Sequence, residues 1–206
     1  MLDGLRIAEL TLSRGERVLF QRLSLEVSRG QAVSLTGGNG AGKSTLLRAI
    51  AGFVRPDGGR IDFLNKGTEV EPEDARRSAL HLTGHLEGLK PTRTACQEMT
   101  FQNRFLGGSE DGLAKAIDQL KLEPLLDLET RRLSAGQKRR VAMARLISAP
   151  RPLWLLDEPL APLDSVWRQS MGDLMQAHLD GGGMIIAAVH DPLPFDTVSL
   201  DLGGRA

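Results

Sequence analysis

The stretch that most constrains this chain is Gly37-Gly38-Asn39-Gly40-Ala41-Gly42-Lys43-Ser44-Thr45, which fits the spacing G-x-x-x-x-G-K-[ST]. The residues before it, Gln31 to Thr36 (Q-A-V-S-L-T), read as a short buried strand, and Lys43 to Ala51 read as a helix leaving it. Small residues let successive backbone N–H groups turn inward on a polyanion, and the positive end of the following helix adds to the attraction. A lysine at position 43 reaches the β- and γ-phosphates of a nucleoside triphosphate, and the Ser44 hydroxyl ligates Mg²⁺. The spacing therefore predicts a site for ATP or GTP built from residues 37–45.

Composition narrows the class of partner. The 206 residues are 41% hydrophobic, enough for one sizeable core or a core plus a small subdomain. Lys+Arg and Asp+Glu are 26 each, so bulk charge offers no attraction to nucleic acid or to an anionic membrane surface. With one cysteine, Cys96, no internal disulfide forms, which suits a reducing compartment. No apolar run approaches the ~20 residues that span a bilayer, and the N-terminus lacks a signal-peptide core. The expectation is a soluble cytoplasmic protein whose membrane role, if any, comes through a partner.

Taken in order, Leu5, Ile7, Leu10 and Leu12 alternate with polar residues, and Val18 to Val27 form a second β-rich run after a hairpin turn at Arg14-Gly15-Glu16. Arg55 to Gly59 is a turn, followed by strands at Arg60–Leu64 and Ser78–Thr83. From Gly84 the pattern becomes helical, over Thr92–Leu106, Glu110–Lys121 and Gln137–Ser148. Strand character returns at Leu153–Leu156. A helix from Ser165 to about Leu179 follows, with Trp167, Met171, Leu174 and Met175 on its inner face. Met184–Val189 is a strand, and Val198, Leu200 and Leu202 mark a last edge strand. Strands alternating with helices imply a largely parallel sheet with the phosphate loop at a strand C-terminus.

Two more segments narrow the chemistry. Leu153-Trp154-Leu155-Leu156-Asp157-Glu158 is an apolar strand ending in two carboxylates. Beside a phosphate loop, Asp157 would bind Mg²⁺ through water, and Glu158 would orient or activate the attacking water. Leu133-Ser134-Ala135-Gly136-Gln137 opens a helix with a capping box, Ser134 and Gln137 three apart. It is also a second helix N-terminus able to hold phosphate.

In these residues the chain resembles the ATP-binding subunits of ABC transporters, over essentially its whole length. Gly37 to Ser44 match Walker A, Leu133 to Gln137 the L-S-G-G-Q signature with Ala135 for the first glycine, and Leu153 to Glu158 Walker B. Ala161-Pro162-Leu163-Asp164 match the D-loop, and His190, after a strand, matches the switch histidine. The resemblance implies an α/β fold of the P-loop NTPase, ABC-type ATPase kind. It would have a mixed sheet, an N-terminal antiparallel β region and a helical subdomain inserted at about 86–150, within one domain over 1–206. It implies a head-to-tail homodimer with two ATP molecules. Each would lie between the Walker A loop of one subunit and Ser134, Ala135, Gly136 and Gln137 of the other, with Glu158 as catalytic base and His190 on the γ-phosphate.

Departures from the family pattern point to a branch. Arg14 stands where an aromatic residue usually stacks on adenine; its guanidinium plane either stacks on the base in that residue's place or is a solvated turn arginine. His85 stands where the Q-loop glutamine is expected, and Pro162 is unusual in the D-loop. Gly84-His85 followed by Gly88-Leu89-Lys90-Pro91 resembles the ATP-binding subunit of the cytochrome c maturation system, as do S-A-G-Q-K-R-R-V-A and H-D-P-L. Gln97-Glu98-Met99 departs from the Glu-Asn-Leu common there. That branch implies integral membrane permease partners, heme handling for c-type cytochromes, and a peripheral place on the cytoplasmic face of the inner membrane. The chain has no C-x-x-C-H, and Cys96 and its four histidines lack ligand spacing, so nothing reads as a heme site. The alternatives are the ABC ATPase subunit of a transporter for another cargo, or a soluble ABC ATPase acting on nucleic acid or ribosomes; proteins of the latter kind usually carry two ATPase units or a long insertion.

Overall fold

A computed structural model describes residues 2–203. In chain order, β1 (Gly4–Arg14) and β2 (Arg17–Ser28) are followed by β3 (Ala32–Thr36) and α1 (Lys43–Ile50). Next come β4 (Gly58–Asn65), β5 (Thr68–Val70), α2 (Pro72–Ser78) and β6 (Leu80–Thr83). The helices α3 (Ala95–Leu106), α4 (Glu110–Gln119) and α5 (Ala135–Ser148) then precede β7 (Leu153–Asp157). The chain ends with α6 (Ser165–Asp180), β8 (Met184–Ala188) and β9 (Val198–Asp201). It divides into two compact units, one of residues 1–82, 152–159 and 169–206, the other of residues 83–151 and 160–168.

The first unit carries the sheets. An antiparallel sheet in the order β2-β1-β4-β5 is the N-terminal region expected from the alternating apolar residues. The second sheet runs β6-β7-β8-β3-β9, with β3 parallel to both β8 and β9, and β7 parallel to β8. Strands β3, β7 and β8 are buried along nearly their whole length, which their continuous apolar runs require. One core joins Leu5, Leu12, Phe20 and Phe63 of the antiparallel sheet to Leu35, Leu155 and Ile186 of the parallel one. Helix α1 contributes Leu46, Leu47 and Ile50 to that core and packs on β7 and β8.

The second unit is helical. Helix α5 packs against α3 and α4, burying Val141, Ala142, Ala144 and Leu146. Helix α3 begins at Thr94 with a capping box closed by Gln97. Gln97 thus does the capping that Glu does elsewhere at that position of the box. Glu98, 3% exposed, pairs with Arg93 at 3.2 Å and accepts from Gln102 at 3.0 Å.

Three expectations need correction. The strand expected from Ser78 starts at Leu80, because Pro72–Ser78 form a helix with Pro72 at its first turn, Glu73 and Asp74 beside it, and Arg76 and Arg77 at its end. Helix α4 ends at Gln119, two residues before Lys121, whose φ of 48° breaks it. On α6 the buried face is Met171, Gly172, Met175 and Leu179, whereas Trp167 and Leu174 are only half-buried.

Candidate functional site

In the first unit the phosphate loop stands at the C-terminal end of β3, where a parallel sheet presents its site. Gly37, Gly40 and Gly42 all have positive φ, 123°, 81° and 99°. At Gly42 two constraints coincide. It is the left-handed N-cap residue of α1, and a β-carbon there would lie 3.1 Å from Phe20 and 3.3 Å from Leu19. Lys43 is 7% exposed, and its Nζ donates to the carbonyl oxygens of Gly37 at 2.6 Å and Gly38 at 3.4 Å. The ammonium is thus folded back across the mouth of the loop. The N–H groups of Lys43, Ser44 and Thr45, in the first turn of α1, have no intrahelical acceptor and carry the positive end of the helix dipole. Asn39 is exposed at the loop tip, and Ala41 N–H closes a turn onto Gly38.

The neighbouring strands supply carboxylates. Asp157 is the last residue of β7, 6% exposed, and its Oδ1 accepts a hydrogen bond of 3.1 Å from the Ser44 hydroxyl. An alcohol and a carboxylate oxygen side by side form a donor pair suited to a hard cation such as Mg²⁺. These residues fit that ion. Glu158, the next residue, has φ 49°, an uncommon conformation for a side chain of this size, and its N–H donates to the Ala188 carbonyl at 2.9 Å. Its Oε1 lies 3.4 Å from the Nε2 of His190, just past the end of β8, with the glutamate 19% and the histidine 56% exposed. Four of the expected residues, Ser44, Asp157, Glu158 and His190, thus meet in two touching pairs around the loop. Arg14 is exposed at the end of β1, directly opposite Arg17.

The second unit holds the signature residues. Ser134 is the N-cap of α5, its hydroxyl accepting from Gln137 N–H at 3.2 Å while Gln137 Oε1 accepts from Ser134 N–H at 2.8 Å. The helix starts at Ala135, two residues before the expected Gln137. Gly136 faces the chain around Asp164, since a β-carbon there would lie 3.0 Å from the Pro162 carbonyl oxygen. The Asp164 carboxylate accepts from Trp167 N–H at 2.9 Å and so caps the start of α6. Arg140, one helical turn past Gly136, stacks its guanidinium 4.0 Å over Trp167.

Sequence reasoning passed over two arginines of α5. Arg139, fully buried, donates to the Gly84 carbonyl at 3.0 Å, and Arg145 donates to the Thr83 hydroxyl at 3.2 Å. Together they anchor the chain immediately before His85, which is itself exposed. Burial, with the positive charge of Arg139 adding to it, lowers Arg145 to about 10, which leaves it protonated at neutral pH. Both lie in the run Ser134 to Leu146, but a basic run gave no periodic signal for their burial.

Against known proteins, the pattern that defines the family described as "ABC transporter" matches residues 20–161. The chain belongs to the ABC transporter family. Two curated ABC relatives are both named cytochrome c biogenesis ATP-binding export protein CcmA. That of Maricaulis maris is 42% identical over 204 residues, covering 98% of this chain and 94% of the relative. That of Rhizobium meliloti is 43% identical over 200 residues, covering 95% of each. Among solved structures, a bacterial ABC transporter cassette determined as a dimer superposes with a TM-score of 0.81 at 22% identity, covering 97% of this chain and 95% of the other. That likeness shows the ABC ATPase fold. Among the described residues, no helix is long and apolar enough to cross a membrane.

Proposed function

We propose that this chain is the ATP-binding and ATP-hydrolysing subunit of an ABC transporter complex that serves c-type cytochrome biogenesis by handling heme. The observation that carries the catalytic part is the Glu158–His190 contact of 3.4 Å, set beside the Ser44–Asp157 pair at 3.1 Å. The biological assignment draws on the relatives named for cytochrome c biogenesis, which align with nearly the whole chain.

In this reading the N–H groups of residues 37–45 and the Lys43 ammonium bind the β- and γ-phosphates, exchanging the carbonyl contacts of Lys43 for phosphate oxygens. Ser44 and Asp157 hold Mg²⁺, which when bound neutralises phosphate charge. Glu158 accepts a proton from a water as its oxygen bonds to the γ-phosphorus. The bond from that phosphorus to the bridging oxygen breaks, leaving ADP and inorganic phosphate. His190 steers the γ-phosphate and holds the Glu158 carboxylate in line. Ser134, Ala135, Gly136 and Gln137 act on the ATP of a second copy, so the working unit is a homodimer, and Asp164 orders the adjoining loop. His85, anchored through Gly84, replaces the Q-loop glutamine. The ATPase pair docks on integral membrane permease subunits at the cytoplasmic face of the inner membrane, with no role for nucleic acid.

The test uses Glu158→Gln. Removing the proton acceptor is expected to abolish steady-state ATP hydrolysis while ATP affinity stays unchanged; substantial turnover would remove Glu158 as the base. The same variant, loaded with ATP and Mg²⁺ and drawn from detergent-solubilised membranes, is expected to bring down polytopic proteins and a heme-bearing chaperone with Soret absorbance. Polytopic partners without heme would keep the transporter ATPase and discard the heme assignment. Ribosomes or nucleic acid in their place would overturn the transporter reading.

A further inference from the structure

The end of the β1–β2 hairpin places two arginines where electrostatics alone would not put them. Arg14 and Arg17 are direct cross-strand partners, so their side chains leave the same face of the sheet. Like charges opposite each other on one rung destabilise a sheet. Neither side chain has a hydrogen-bond or ion-pair partner among the described residues. An anion lying close to both would relieve that repulsion.

The register of β2 identifies where that anion sits. The pairing of Leu12 with Phe20 and then Ser13 with Val18 leaves Leu19 as a bulge. Leu19 and Phe20 therefore both come within 3.3 Å of a β-carbon built at Gly42. Two residues earlier on the same strand, the Nη1 of Arg17 lies 3.9 Å from a β-carbon built at Gly40. The strand thus tracks the phosphate loop backwards, residue 19 against residue 42 and residue 17 against residue 40. A guanidinium at that spot is beside the loop that wraps the triphosphate, on the hairpin side, while Lys43 enters from the helix side.

We propose that Arg17 is a phosphate-binding residue of the nucleotide site, a second cation that contacts the triphosphate together with Lys43. The proposal rests on the nucleotide-binding reading above and adds to it a residue outside the G-x-x-x-x-G-K-[ST] motif. A guanidinium offers a planar fork of N–H donors that matches two phosphate oxygens at once, which the single ammonium of Lys43 does not. Because it reads phosphate, Arg17 is indifferent to the base.

Nucleotide titration calorimetry on the full chain tests this, in the Glu158→Gln background so that no turnover intervenes. Arg17→Ala is expected to weaken ATP and GTP together by about ten-fold, as loss of a charge-assisted hydrogen bond does, with the ratio between them unchanged. The melting temperature without nucleotide does not fall below the parent's, Arg17→Lys recovers part of the affinity, and the salt dependence of binding becomes shallower than the parent's. Unchanged affinity in Arg17→Ala, while the parent binds ATP, overturns the role of Arg17 and leaves the nucleotide site standing. Equal losses in the alanine and lysine variants, with a lowered melting temperature, also overturn it and make Arg17 a support for the loop. A parent that fails to bind ATP overturns the nucleotide reading and this proposal together.

Discussion

Glu158 sits in the left-handed region, with φ 49°, at a conformational cost on the order of 1–3 kcal/mol. The hydrogen bond from its N–H to Ala188 holds that conformation and turns the carboxylate away from the strand toward His190. A different residue of the first unit, His178, contributes to the pH dependence of stability. His178 stacks on Trp154, ring centroids 3.7 Å apart and 8° from parallel, and burial lowers its pKa from the ordinary 6.5, with hydrogen bonding to the backbone of Met184 and Pro152 opposing the shift. Because the folded chain binds this proton less readily than the unfolded one, stability is full above about pH 6.5 and falls as pH drops through the window below it. His178→Phe keeps the stack and removes the proton site. Its urea midpoint is expected to fall less between pH 7 and pH 5 than the parent's, and parallel pH profiles would count against this account.

At the scale of the element, α5 shows how local chemistry and packing divide the work. The capping box at Ser134 and Gln137 specifies where the helix starts, and the apolar Val141-Ala142-Met143-Ala144 run specifies what it buries. The approach of α4 depends on an absence of side chain. A β-carbon at Gly112, in the first turn of α4, would lie 2.6 Å from the Ser148 carbonyl at the end of α5. In an exposed helix Gly→Ala stabilises by about 1 kcal/mol. Here the contact is with backbone, which has no rotamer to yield, so overpacking of about 1–3 kcal/mol wins. Gly112→Ala is therefore expected to lower the thermal midpoint, read by far-UV circular dichroism, and a raised midpoint would show that the two helices separate without cost.

For the whole molecule the proposed partner is a second copy. The formal charge of zero leaves no net repulsion between copies to overcome on assembly, so local features of the signature helix decide whether they close on nucleotide. Ser134 is exposed, and in the proposed head-to-tail dimer it would contact the partner's ATP. Ser134→Arg, placed in the Glu158→Gln chain, is expected to abolish an ATP-dependent dimer in size-exclusion chromatography while each copy keeps the parent's affinity for ATP. A dimer that still forms would remove the signature from the interface.

The sequence alone determined the loop at 37–45, the carboxylates at the end of β7, the capped signature helix and the antiparallel N-terminal strands. Each is encoded locally, in spacing, in turn chemistry or in a period of two, and each survives without knowledge of its neighbours. It misjudged Pro72 to Ser78, because seven residues are too few for a helical period to show and only the proline and the charge order marked the helix. What tertiary structure decided are distances between segments far apart in the chain. Ser44 meets Asp157, Glu158 meets His190, and Arg17 reaches Gly40 because parallel strand order and a bulge at Leu19 bring them together. Pairing of distant strands is set by the shared core rather than by any short stretch of residues, and so only the folded chain reveals it.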